Sequence, residues 1–255
     1  MIVSGLDPSG GAGVQADIQA TTALGCHPLP VLSCLTVQDT RNVYNAEAVD
    51  ADLVRQQLEY LAADCRIDAV KTGALGNAAV VNAVADFLDQ HTLLPLIVDP
   101  VIKAAGGGDL ADDELLSAMQ QRLFARAEVI TPNGIELTQL GGFEDQRDSA
   151  RHLLDGGCQG VLATGGHGIG EFITNTLYRQ DQAEKSWQIE RVGGEYHGTG
   201  CTLAAAIAAG RAAGLSLEDA IEQAQRFVSG AINHALAVGH GQPVPDRGVT
   251  WAAQG

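Results

Sequence analysis

Short apolar runs that stop at glycine or polar residues alternate along this chain with segments of helical periodicity. Leu94 to Val98 stops at Asp99-Pro100, and Glu128 to Thr131 at Pro132-Asn133. Gly160 to Thr164 stops at Gly165-Gly166, and Ala69 to Thr72 at Gly73. Runs this short and this apolar suit strands buried on both faces, which is the habit of parallel sheets. Met1 to Ser4 and Leu29 to Leu35 read as two further strands. Between them, Ala12 to Leu24, Asp50 to Ala63, Ala78 to Leu88 and Asp112 to Phe124 read as helices. Asp50 stands at an N-cap position, where its carboxylate can accept an orphan backbone N–H. Phe172 to Tyr178 and Trp187 to Val192 read as a hairpin around a polar turn. Two helices follow, the last over Leu217 to Val238, with Ser216 and Asp219 at capping-box spacing. The alternation predicts an α/β fold with a mainly parallel sheet and helices on both faces. We see no linker, so a single domain over residues 1–255 is expected. Ligands in such sheets bind beyond the carboxyl ends of the strands.

Composition excludes several classes of function. A net charge of −16 argues against nucleic acid and anionic membranes, which need a basic surface. No apolar stretch reaches the roughly 18 residues that span a bilayer. No basic leader follows Met1, so a cytoplasmic protein is expected. The five cysteines are scattered and form no C-x-x-C pair, which disfavours zinc and disulfide frameworks. The 31 glycines, in a chain of 255, are well above the usual ~7% and cluster where apolar runs end. They look like loops built around ligands.

The segment Tyr196-His197-Gly198-Thr199-Gly200-Cys201 runs straight into Thr202-Leu203-Ala204-Ala205-Ala206. A glycine turn opening an alanine-rich helix offers free N–H groups and a positive dipole end to a phosphate. The same field is expected to lower the pKa of Cys201, making it a base or a nucleophile. The plainer reading is a small packed cysteine at an ordinary helix start. The chain has no G-x-x-x-x-G-K-[ST] loop, no G-x-G-x-x-G fingerprint and no G-x-S-x-G elbow.

Read in order, the motifs become specific. Gly5-Leu6-Asp7-Pro8-Ser9-Gly10-Gly11-Ala12-Gly13 is followed by Leu35-Thr36-Val37-Gln38-Asp39-Thr40 and by Lys71-Thr72-Gly73. Asp99-Pro100-Val101, Thr131-Pro132-Asn133-Gly134-Ile135-Glu136 and His197 to Cys201 complete the series. The series resembles the hydroxymethylpyrimidine/phosphomethylpyrimidine kinases of thiamine biosynthesis, within the ribokinase-like superfamily, through essentially the whole chain. The resemblance implies a ribokinase-like three-layer sandwich. It implies transfer of the ATP γ-phosphoryl group to a 4-amino-pyrimidine alcohol, then to the monophosphate, with ATP and Mg2+ required. Gly198, Thr199 and Gly200 then supply the anion hole, and Cys201 the base. Gln38, whose amide offers both donor and acceptor, reads the pyrimidine edge. Asp17, Ala12, Ala74 and Val101 match positions around the pyrimidine. Thr164, Gly165 and Gly166 flank the nucleotide, and Asp99, Asn133 and Glu136 match the metal side. The family is often dimeric, so a homodimer is expected.

The chain departs from the family pattern in places. Thr164 stands where a lysine is usual, and Ala105-Gly106-Gly107 where Lys-Ser-Gly is usual, with Lys103 nearby. Both changes remove positive charge from near the phosphates. Ala74 replaces a methionine, which is expected to enlarge the pocket. Pyridoxal or pyridoxine kinase is the nearest alternative, and a non-catalytic vitamin-precursor-binding regulator is a third. Gln38 and Cys201 favour the pyrimidine, and intact Cys201, Asn133 and Glu136 favour catalysis.

Overall fold

The computed structural model describes residues 1–102, 111–166 and 170–248. Its centre is a nine-stranded sheet. The strands are β1 Ile2–Leu6, β2 Pro30–Gln38, β3 Val43–Ala48, β4 Val70–Thr72, β5 Leu96–Val98, β6 Val129–Ile130, β7 Gly160–Ala163, β8 Phe172–Arg179 and β9 Lys185–Glu190. Their spatial order is β3-β2-β1-β4-β5-β6-β7-β8-β9. From β2 to β7 every neighbouring pair is parallel, and β3, β8 and β9 add antiparallel edges.

Among the described residues eight α-helices cover the two faces: α1 Gly13–Ala23, α2 Ala51–Asp64, α3 Ala78–Gln90, α4 Asp113–Ala118, α5 Gly134–Gly141, α6 Gln146–Asp155, α7 Thr199–Ala212 and α8 Leu217–Asn233. Successive side chains of a strand point to opposite faces. Leu96 and Val98 therefore join one core, with Val80, Val84 and Leu115, while Ile97 between them joins the other. That second core holds Val129, Leu162 and the alanines of α7, whose small side chains let the helix lie close against α8 and the sheet.

Several expectations need correction. The helix expected over Asp112 to Phe124 is α-helical over Asp113–Ala118 and continues as single wider and tighter turns, Met119–Leu123 and Phe124–Arg126. The last helix ends at Asn233, not Val238, because Leu236 turns away to pair with Val244. Ser216 caps it by accepting from Asp219 N–H, but the Asp219 carboxylate takes the Ser216 hydroxyl and returns no bond to the backbone. Strand β3 gives no apolar alternation because most of its residues are exposed. Helices α5 and α6 are short, and α5 begins in a true capping box built by Asn133 and Glu136. Among the described residues, no helix is long and apolar enough to cross a membrane.

Candidate active site

Because β1, β2, β4, β5, β6 and β7 run parallel, their carboxyl ends form one edge. Gln38 ends β2, Asp7 follows β1, Lys71 to Ala74 end β4, and Asp99 follows β5. Asn133 follows β6 and bridges Thr164, which follows β7. The motifs separated along the chain thus stand side by side.

At one end, Asp7 organises the first loop. Its carboxylate accepts the N–H groups of Ser9 and Ala12, each at 2.8 Å, and stands 2.8 Å from His197 Nε2. Burial alone would raise this carboxyl, but the bonds from His197, Ser9 and Ala12 outweigh it and hold it at about 2. Asp7 is therefore ionised at neutral pH, and His197 carries a proton on Nε2. The Gln38 amide lies 3.4 Å from that nitrogen and 3.0 Å from Thr36 Oγ1. Thr36 has one hydroxyl proton, which Leu6 O takes at 2.8 Å. The amide oxygen faces the Thr36 hydroxyl and the amide nitrogen faces His197 Nε2. Its orientation is coupled to the Asp7–His197 pair. A side chain on Gly11 would run into His197, so the loop needs glycine there.

The centre is charged and buried. Lys71 Nζ lies 2.8 Å from Asp17 Oδ2 and 3.9 Å from Asp99 Oδ2, and both Lys71 and Asp17 have no solvent exposure. Burial alone would lower the lysine pKa, but Asp17, Cys201 and Asp99 outweigh it and keep the ammonium charged. Burial raises Asp17 and Asp99 against the pull of Lys71. Asp17 spends its charge on Lys71, so the structure does not expose it to a ligand. Lys71 escaped notice as a site residue, though its signal was present: a lysine in a strand buried on both faces needs a carboxylate partner.

Cys201 lies in the first turn of α7 as a free, half-buried thiol, close enough to Asp99 and Lys71 to feel their charges. The expected lowering of its pKa is not found. Burial, then the Asp99 charge, push the thiol well up, and Lys71 offsets them in part. Two helix starts meet here, but loss of water outweighs their field. Gly198 opens the turn at φ +86°, and a side chain there would strike Gly11 O. Thr199 is half-buried and Gly200 exposed. Asp99 faces Gly200 across the gap, its Oδ1 4.0 Å from where a Gly200 Cβ would stand.

At the far end, Glu136 accepts from Asn133 N–H at 3.0 Å and Ile102 N–H at 3.5 Å. Burial, then Asp99, raise it to about 8. Asn133 Oδ1 is occupied by the N–H groups of Ile135 and Glu136. Thr164 N–H bonds to Pro132 O, Gly165 N–H bonds to the Asn175 side chain, and Arg191 bonds to Gly166 O. Val101 and Ala12 are half-buried beside Asp99 and Asp7 respectively. Ala74 lies beside Gly5, its carbonyl accepting the Ser33 hydroxyl. Lys103 and Ala105 to Gly107 lie outside the described residues. Arg247, deeply buried behind the glycine turns, was not expected at all.

Residues 7–245 match the family model of phosphomethylpyrimidine kinase. The hydroxymethylpyrimidine/phosphomethylpyrimidine kinase of Bacillus subtilis (strain 168) is 35% identical, over 94% of this chain and 91% of that protein. The thiamine biosynthesis bifunctional protein ThiED of Geobacter sulfurreducens is 37% identical over 94% of this chain, which spans 50% of its length. The pyridoxal kinase from Staphylococcus aureus, solved with AMP-PCP and pyridoxal, superposes with a TM-score of 0.88 at 27% identity, over 99% of this chain and 94% of that one. The phosphomethylpyrimidine kinase of Clostridium difficile 630 superposes at 0.78 with 28% identity, over 91% and 97%.

Proposed function

The chain belongs to the phosphomethylpyrimidine kinase family and is a phosphotransferase, and from that premise we propose its substrates and residue roles. It transfers the γ-phosphoryl group of ATP to 4-amino-5-hydroxymethyl-2-methylpyrimidine, then to the monophosphate, in thiamine biosynthesis. The observation that carries this reading is the Gln38 amide fixed by Thr36 and His197 at one end of the strand edge, with Cys201 and its glycine turn at the centre. An amide held in one orientation can pair with an exocyclic amine and the adjacent ring nitrogen together.

Phosphoryl transfer needs positioning and charge stabilisation more than covalent help. The substrate hydroxymethyl oxygen bonds to the γ-phosphorus as the bridging oxygen leaves with ADP. Backbone N–H groups of Gly198, Thr199 and Gly200 meet the transferred group. Cys201, in the first turn of α7 behind the glycine turn, takes the hydroxyl proton once it is in its thiolate form. Thr164, Gly165 and Gly166 border the nucleotide. Ala12, Ala74 and Val101 border the ring, with Asp17 behind them holding Lys71.

The residues fit Mg2+. Asp99 Oδ2 is buried without a hydrogen-bond partner, and Glu136 is destabilised by the Asp99 charge, so the pair invites a cation. Magnesium takes few carboxylates and keeps several waters. Asp99 and Glu136 would hold it, with Asn133 fixing the Glu136 backbone, and it would neutralise phosphate charge. A homodimer, a single domain over 1–255 and a cytoplasmic location belong to the same reading.

Pyridoxal kinase remains the second reading, favoured by the pyridoxal-bound neighbour and by the small Ala74. The test is to incubate the protein with ATP, Mg2+ and each acceptor and identify products by mass. Pyrimidine mono- and diphosphate are expected. Phosphorylated pyridoxal with no pyrimidine product would overturn the assignment.

A further inference from the structure

Arg247 is 2% exposed, and all four of its hydrogen-bond acceptors are uncharged. A buried guanidinium is costly without a carboxylate unless something else compensates for the charge. Its fork reaches Gly11 O at 2.6 Å, Gly198 O at 3.4 Å, Thr202 Oγ1 at 2.7 Å and Gln19 Oε1 at 3.2 Å. Two of these are carbonyls of the glycine turns on either side of the site. Gly198 O also accepts from Thr202 N–H at 3.0 Å and Thr202 Oγ1 at 2.7 Å. The Thr202 hydroxyl therefore relays Arg247 to the same carbonyl.

The peptide plane makes this consequential. A carbonyl and the N–H of the next residue belong to one rigid unit. Holding Gly198 O sets the direction of Thr199 N–H, the first donor of the phosphate turn. Holding Gly11 O sets Ala12 N–H, which Asp7 accepts. A charged donor on the carbonyl also polarises the unit and strengthens its N–H. Gly198 has a left-handed φ, and a side chain there would strike Gly11 O, so the two turns pack backbone against backbone. Arg247 stands just past residue 245, where the family match ends.

We propose that Arg247 is a positioning residue for phosphoryl transfer, fixing the Gly198–Thr199 peptide so that its N–H meets the transferred phosphate and placing a permanent positive charge behind the turn. This rests on the kinase reading above.

The experiment compares the full chain with Arg247→Met, Arg247→Lys and Thr202→Val. It measures kcat, KM for the pyrimidine, the ratio of ATP to ADP affinity by calorimetry, and thermal unfolding. Removing one oxyanion donor typically costs about 100- to 1,000-fold in kcat, so a displaced donor in Arg247→Met should cost about 100-fold. The pyrimidine KM should hold within about two-fold, since that interaction is made elsewhere. ATP affinity should fall more than ADP affinity. Arg247→Lys should restore part of the loss, because it keeps the charge without the fork. Thr202→Val should shift the ATP/ADP ratio in the same direction. A folded Arg247→Met with native kcat and native ATP/ADP ratio would overturn the proposal, as would a fall in unfolding temperature alone. If that variant does not fold, Arg247→Lys and Thr202→Val decide by the same ratio. The ratio needs no turnover, so a wild-type protein inactive on the pyrimidine refutes the substrate assignment while leaving Arg247 judged on binding.

Discussion

His197 Nε2 lies 2.8 Å from Asp7 Oδ2, and that bond joins the loop after β1 to the loop before α7 across 190 residues. The first loop carries Ala12 of the proposed pyrimidine pocket, and the second carries the phosphate turn. Asp7→Asn places an NH2 group where the carboxylate now accepts only donors. Asp7 is held at about 2 against a usual 3.8, so its bonds stabilise the fold by about 2 kcal/mol at neutral pH. A depressed carboxyl contributes stability that is complete above its unfolded pKa and is lost as pH falls through its folded one. Urea unfolding should show the variant less stable at pH 7, with the gap closing between about pH 4 and pH 2. A gap independent of pH would mean that the bonds do not depend on the charge.

Cys201→Ala should slow the chemical step and leave ATP binding nearly intact, since the turn's donors are backbone groups. General-base assistance is worth about 100- to 10,000-fold. Burial pushes the thiol up, so the wild-type rate should climb with pH through the neutral range and beyond as the sulfur gives up its proton more readily. The Ala variant should lose that climb. Rate measurements across pH check both statements.

Lys71→Met removes the ammonium between Asp17 and Asp99 and leaves two buried carboxylates with no counter-charge. Breaking a buried pair in this way costs about 3–5 kcal/mol. Lys71→Met combined with Asp17→Leu should recover most of the loss, because the uncompensated charge at Asp17 is gone. Chemical denaturation of the two variants checks this. An additive double variant would show that the two residues act separately.

Ala74→Met adds side-chain volume beside Gly5. One methylene in an apolar pocket discriminates by about 1–3 kcal/mol. The variant should therefore turn over pyridoxal less well while sparing the pyrimidine. The ratio of specificity constants before and after substitution is the measurement. An unaltered ratio would show that position 74 does not set pocket size.

Much of this was legible in the chain itself. The caps at Asp50, the apolar run Leu96 to Val98 and the glycine turn before Cys201 are local signals, carried by residues within a turn or strand of one another. Those signals determined the sheet, its direction and the edge where chemistry belongs. Strand β3 was lost because an exposed edge strand has no buried face to impose alternation. The end of α8 was misplaced because apolar spacing continues past Asn233 into a segment that pairs with Val244 instead. Tertiary structure alone decided the partners of the charged groups. Lys71 meets Asp17 across 54 residues, and Arg247 meets Gly11 across 236. It also reversed the expected effect on Cys201, since the helix field acts locally but the loss of water depends on everything packed around the thiol.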